Sequence, residues 1–149
     1  MKACLPSATR RSGEHMTPNK HKHLEFIQTA VNRMASNLFL LKGWTITLIA
    51  ALFALSAKDA NKAYVLVAYF PALVFWSLDA YFLSQERCFR ALYDHVRVLN
   101  ENQIDFSMDT SRFKHERRNS WAGAILSPTL AIYYGSLALL MLFVMYFIR

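Results

Sequence analysis

Little in this chain points to covalent chemistry. It holds two cysteines, Cys4 and Cys88, and no C-x-x-C, which excludes a disulfide framework and reads as two reduced cytoplasmic thiols. G-x-S-x-G, P-loop and H-E-x-x-H patterns are absent, so no enzyme, cofactor or catalytic metal is expected. Met1–His23 has no apolar core of the kind a secretory signal needs. No inverted repeat is visible, and three spans leave little room for a solute-transport site. Charge itself is missing from three long runs: Gly43–Ala57, Ala63–Leu78 and Trp121–Ile148.

What is present is apolar. The chain is 54% hydrophobic and 14% aromatic over 149 residues, and its apolar residues are collected in runs rather than dispersed. In hydrocarbon every backbone N–H and C=O must be bonded within the protein, so such runs become helices. A span needs roughly 20 residues at about 1.5 Å each. Residues 38–57, 63–83 and 129–148 each satisfy this. The fold class expected is therefore an all-α membrane protein with three transmembrane helices, in one membrane domain over residues 21–149. Residues 1–20, with Pro6, Gly13, Pro18 and scattered charge, are expected to form a disordered tail.

The first two spans continue beyond the apolar runs. Leu24, Ile27, Val31, Met34, Leu38 and Leu41 recur at alternating steps of three and four, a one-sided helical stripe. The first helix begins at Thr17-Pro18 or nearer His23; the spacing predicts one helix over about 23–57, roughly 52 Å long, whose first part, 23–37, lies in the cytoplasm. Lys58–Lys62 reads as a short polar turn. The second helix starts near Ala63, carries Pro71 in mid-span, where a missing donor should kink it, and continues over 84–100 on the stripe Leu78, Phe82, Phe89, Leu92, Val96 and Leu99. The pair forms a long antiparallel helical hairpin extending into the cytoplasm. Residues whose numbers add to about 121 then share a depth. Residues 101–120 form a charged connector, and Ser127-Pro128 opens the third span with proline in the first turn.

The net charge of +7 records topology and attraction to anionic headgroups, with no nucleic-acid partner expected. Seven Lys/Arg precede the first span or begin it, through Lys42, and seven lie between the second and third; three lie elsewhere. This positive-inside bias puts the N-terminus and the rods in the cytoplasm and the C-terminus outside, in an inner membrane.

An ionisable residue inside a span is a functional-site candidate by default. Asp79 is that residue, and the depth rule names Lys42 as its partner, at the inner interface. The alternatives are a structural ion pair and a polar ring at a pore mouth. Small residues form stripes on span one (Gly43, Thr47, Ala50, Ala54) and on span three (Ala131, Gly135, Ala138). Such stripes allow close packing, within the protomer or between copies. In the connector, Asp105, Phe106, Met108 and Asp109 form a compact segment that either docks onto the rods or contacts a partner. Arg90 and His95 have the R-x4-H spacing of HEPN ribonucleases, but five residues apart they do not share a helix face, and Arg10 and His15 repeat the spacing in the tail. His21 and His23 flank Lys22 without further metal ligands.

The lead-in HKHLEFIQTAVNRM (His21–Met34), the run NLFLLKGW (Asn37–Trp44), the apolar pair of helices, and LDAYFLSQERCFRALYDHV (Leu78–Val96) together resemble the SLATT-type small bacterial membrane proteins. That resemblance implies a homo-oligomeric, pore-forming or membrane-perturbing effector of a bacterial conflict or phage-defence system, activated by a cytoplasmic sensor partner. The third span departs from the two-span pattern. The alternative is a non-conducting membrane anchor or interaction protein whose rods recruit a cytoplasmic partner.

Overall fold

The computed structural model describes residues 18–59 and 63–147. The tail expected over 1–20 falls outside the described residues up to 17, as do turn residues 60–62 and the last two positions. The described residues are helical, with no strand among them: α1 (Pro18–Asp59), α2 (Ala63–Val98), the short α3 (Trp121–Ile125) and α4 (Pro128–Phe147), with two single 3-10 turns, Glu101–Gln103 and Ser111–Phe113, in the connector. Three of these helices, α1, α2 and α4, are long and apolar enough to cross a membrane.

Residues 18–20, expected in the tail, are helical instead. Proline in the first turn has no amide to waste, and Lys20 is tied down by distant structure. Its Nζ donates to the carbonyls of Arg97 and Leu99, at 3.0 and 2.7 Å, a cation satisfying orphan acceptors at the end of α2. Lys58 and Asp59 belong to α1 rather than to a turn, and α2 ends at Val98, two residues before the expected Asn100. It continues through Pro71.

α1 and α2 lie side by side in opposite directions. At one end Leu24 and Ile27 share a buried cluster with Leu92 and Val96; at the other Ile49 shares one with Val65 and Ala68. α1 buries a single seam: the predicted stripe from Leu24 to Leu41 points inward and is prolonged by Thr45, Ile49, Leu52 and Ser56.

α2 behaves differently. Its inward line is Ala68, Ala72, Trp76, Ala80, Ser84, Cys88, Leu92 and Val96, every fourth residue, and Leu78 of the expected stripe faces out at 40% exposure. With 3.6 residues per turn, each step of four rotates the buried point by about 40°. The line turns because α2 meets new neighbours along its length: α1 and α4 at Ala68, α3 and α4 at Ala80, and the connector at Leu92.

The small stripes do not pack inside the protomer as one alternative had it. Gly43, Thr47, Ala50 and Ala54 are all exposed, as are Ala131 and Gly135, while Ala138 is half-buried; a Cβ built at Gly43 or Gly135 meets nothing within 4 Å.

α3 is held by its cap. Ser120 Oγ accepts from the Gly123 amide at 3.1 Å and donates to the Arg117 carbonyl at 2.8 Å. Trp121 Nε1 donates to the Ser77 carbonyl and Trp76 Nε1 to the Ile125 carbonyl, both at 3.2 Å, so α3 is pinned to α2 at both ends. Gly123 is required because a Cβ there collides with the backbone carbonyl of Arg117. Gly123→Ala is expected to displace the start of α3 and cost about 1–3 kcal/mol. Faster hydrogen exchange at residues 117–125, relative to α4, is the check.

Candidate functional site

Asp79 comes from α2, Lys42 from α1, and Tyr133 and Tyr134 from α4. The Asp79 side chain is fully buried, and Lys42 Nζ donates to its Oδ2 at 2.8 Å. The expected ion pair is therefore present. A third helix completes it: the Tyr134 hydroxyl donates to the same Oδ2 at 3.0 Å, and the Tyr133 hydroxyl donates to the backbone carbonyl of Lys42, also at 3.0 Å. Lys42 Nζ sits 5.6 Å from the centre of the Tyr133 ring, a cation–π contact, and Trp76 stacks on Tyr134 at 5.9 Å. Asp79 Oδ1 is buried without a hydrogen-bond partner among the described residues. The arrangement locks three helices at one level and neutralises both charges within the protomer.

The connector forms a second site at the far end of the rods. Ile104 and Phe113 are buried with Leu24, Ile27, Leu92 and Val96, so the connector docks onto both helices. Short local bonds shape the segment between them: Asp105 Oδ1 accepts from the Ser107 amide at 3.0 Å, Ser107 Oγ from the Asp109 amide at 3.1 Å, and Asp109 Oδ1 from the Ser111 amide at 2.9 Å. The bonds from the Ser111 hydroxyl and amide hold the Asp109 carboxyl below the usual carboxylate range. Asp105 and Asp109 are thus spent on turn geometry. Phe106 has φ 54°, a left-handed region that non-glycine residues rarely occupy.

That backbone places the Phe106 ring edge-on to His23 at 5.5 Å, yet leaves Phe106 44% exposed, beside Met108 at 40% and Phe26 at 56%. Together with His23, Ala30 and Arg33 they line an open groove. His23 is buried, and its Nε2 has no hydrogen-bond partner among the described residues. Arg33, on the rim, is exposed and in no ion pair among them.

Of the residues singled out in the sequence, Lys42 and Asp79 are brought together, and Phe106 and Met108 share the groove. The two sites do not converge: Phe26 and Lys42 are sixteen positions apart on one helix, about 24 Å. Arg90 is bound to Glu86 and His95 to Arg112, so the R-x4-H residues are engaged separately. His21 is exposed while its neighbour His23 is buried, and no group of three metal-ligating side chains occurs among the described residues. Sequence reasoning missed Tyr133, Tyr134 and Phe26, and weighed His23 only as a metal ligand rather than as part of the groove.

Cys88, 1% exposed, sits where the connector crosses α2, with Sγ 3.9 Å from the Asn119 carbonyl. Burial pushes its thiol above the ordinary range. In a Cys4→Ser background, maleimide labelling at pH 8 is expected to be near zero in the folded protein and complete after denaturation. The sign for stability follows: the folded thiol's raised pKa makes its contribution full below the unfolded value of about 8.5, declining as pH rises above it.

No family model, curated protein or solved structure matches the chain.

Proposed function

We propose that this chain is a three-span integral membrane protein that acts as a non-conducting, non-enzymatic anchor. It holds a docking face for a cytoplasmic protein at the inner surface of the membrane. The observation that carries the reading is the closed polar cluster. Lys42 and Asp79 are bonded to each other and to α4 inside one protomer, which supports a structural role for the pair over a place along a conduction path. The outward faces of the spans carry Phe39, Trp44, Leu66, Phe70, Ile132 and Phe143, each more than half exposed. An apolar exterior of that extent suits lipid. The exposed hydroxyls of Thr47, Ser77 and Ser136 each donate to a carbonyl of their own helix, so their protons are satisfied within the helix when it faces lipid.

The insertion has an N-terminus-in, C-terminus-out orientation, supported by the distribution of Lys and Arg. The groove of Phe26, Phe106 and Met108 then lies in the cytoplasm. It suits a partner that supplies an apolar side chain for the groove and a carboxylate for Arg33.

A second reading, a SLATT-like homo-oligomeric pore, is favoured by one observation: the outward row Gly43, Thr47, Ala50 and Ala54 is open to close approach by a second copy. Potassium flux from liposomes containing the purified protein separates the two. The anchor predicts flux no greater than empty liposomes. Flux abolished by Asp79→Asn would overturn it in favour of the pore.

A further inference from the structure

Four cations, Arg87, Lys114, Arg117 and Arg118, gather where the connector crosses α2 ahead of α3. Arg87 Nη1 donates to the Arg118 carbonyl at 2.7 Å, which draws the Arg87 side chain beneath the Arg117-Arg118 pair. The positive field of Arg118 and the partial burial of Arg87 both act against the Arg87 charge, with burial the larger. Lys114 acts on Cys88, the next residue of α2. Two carboxylates lie near this charge: Glu86, which holds Arg90 and also acts on Arg87, and Glu116, which accepts from Asn119 Nδ2 at 2.9 Å, so four cations face two anions. Arg117 and Arg118 are exposed and in no ion pair among the described residues.

Immediately after these arginines the surface changes character. Trp121 is 49% exposed and Leu126 is 76% exposed, and the bond from Trp121 Nε1 to the Ser77 carbonyl sets them at the level of the Lys42–Asp79 pair. Arg87 lies eight residues farther along α2, about 12 Å. Cations one headgroup layer above an apolar, tryptophan-bearing edge match the profile of a leaflet surface.

We infer that Arg87, Arg117 and Arg118 form a binding site for the phosphate of an anionic phospholipid headgroup, with Trp121 and Leu126 against the top of its acyl chains. Guanidinium groups are suited to such oxygens because their paired donors match phosphate geometry. The apolar edge selects a lipid over a soluble anion, which would gain nothing from Trp121. This site rests on the membrane reading above and adds to it a specific place and chemistry on the lipid surface.

The test uses the full-length protein in vesicles of phosphatidylcholine mixed with phosphatidylglycerol. Native mass spectrometry reads which lipid stays bound. Wild type is expected to retain phosphatidylglycerol preferentially. Arg117→Gln/Arg118→Gln, at two exposed positions where loss of fold is not expected, should lower that preference about 25-fold, since each surface cation contributes about fivefold. Arg117→Lys/Arg118→Lys should restore most of it. Equal retention of both lipids by wild type, or an unchanged preference in the Gln variant, overturns the site. So does displacement of the lipid by soluble glycerol phosphate, which would mark a soluble-anion site. Release of the wild-type protein from vesicles by alkaline carbonate is a separate readout; it would overturn the membrane reading and the site with it, whereas retention with no lipid preference sinks the site alone.

Discussion

Asp79→Ala is expected to lower stability by about 3–5 kcal/mol, the range for removing one member of a buried ion pair. The cost comes from what is left behind. Lys42 keeps its charge with only a quarter of its side chain exposed, and Tyr134 loses the acceptor for its hydroxyl. Titration with sodium dodecyl sulfate in mixed micelles, followed by tryptophan fluorescence, reads the change, because Trp76 stacks on Tyr134. The companion variant Lys42→Met/Asp79→Leu removes both charges at similar volume and should recover most of the loss, since an apolar replacement for a buried pair is often neutral or stabilising. A double variant as unstable as Asp79→Ala would mean that the pair is required for more than mutual neutralisation. An Asp79→Ala protein with wild-type stability would remove the structural role altogether.

Ile27→Ala should cost about 2–5 kcal/mol, the range for emptying a packed aliphatic site. The side chain is 0% exposed, at the centre of the cluster with Leu92, Val96, Ile104 and Phe113. The damage is expected to be local. That cluster shares no residue with those around Ile49 and Ala80. Amide exchange should therefore rise over 18–37, 86–98 and the connector while α4 stays protected, the signature of sub-global opening. Equal acceleration in α4 would show the rods and spans to be one cooperative unit.

The two long helices and their pairing were legible because their signals are periodic and additive. The 3/4 stripe from Leu24 to Leu41 lies on the buried seam, and counting outward from a short turn brought Lys42 to Asp79. The third partner was hidden by the same kind of counting left undone. Tyr133 and Tyr134 lie five and six residues beyond Pro128, as Asp79 lies four before Leu83 and Lys42 four after Leu38. All four are at one depth if α4 enters from the same side. The groove was half legible. Phe106 and Met108 stood out as apolar residues in a charged connector, but nothing in the sequence signalled that Asp105 and Asp109 would be consumed by turns, or that the chain would fold back onto His23 and Phe26. The outward turn of Leu78 was missed because a helix touched by three neighbours in succession does not keep one face.

The inward line of α2 also sets what sequence this helix can tolerate. Between Trp76, which meets α3, and Leu92, which meets the connector, its residues are Ala80, Ser84 and Cys88, each under 5% exposed. A library of substitutions along α2 should therefore be filtered by side-chain volume at every fourth position, indifferent to polarity at Ser84 and Cys88 but intolerant of leucine there. Hydrophobicity profiles, which score leucine as the safest residue in such a helix, would recommend the changes that separate it from its neighbours.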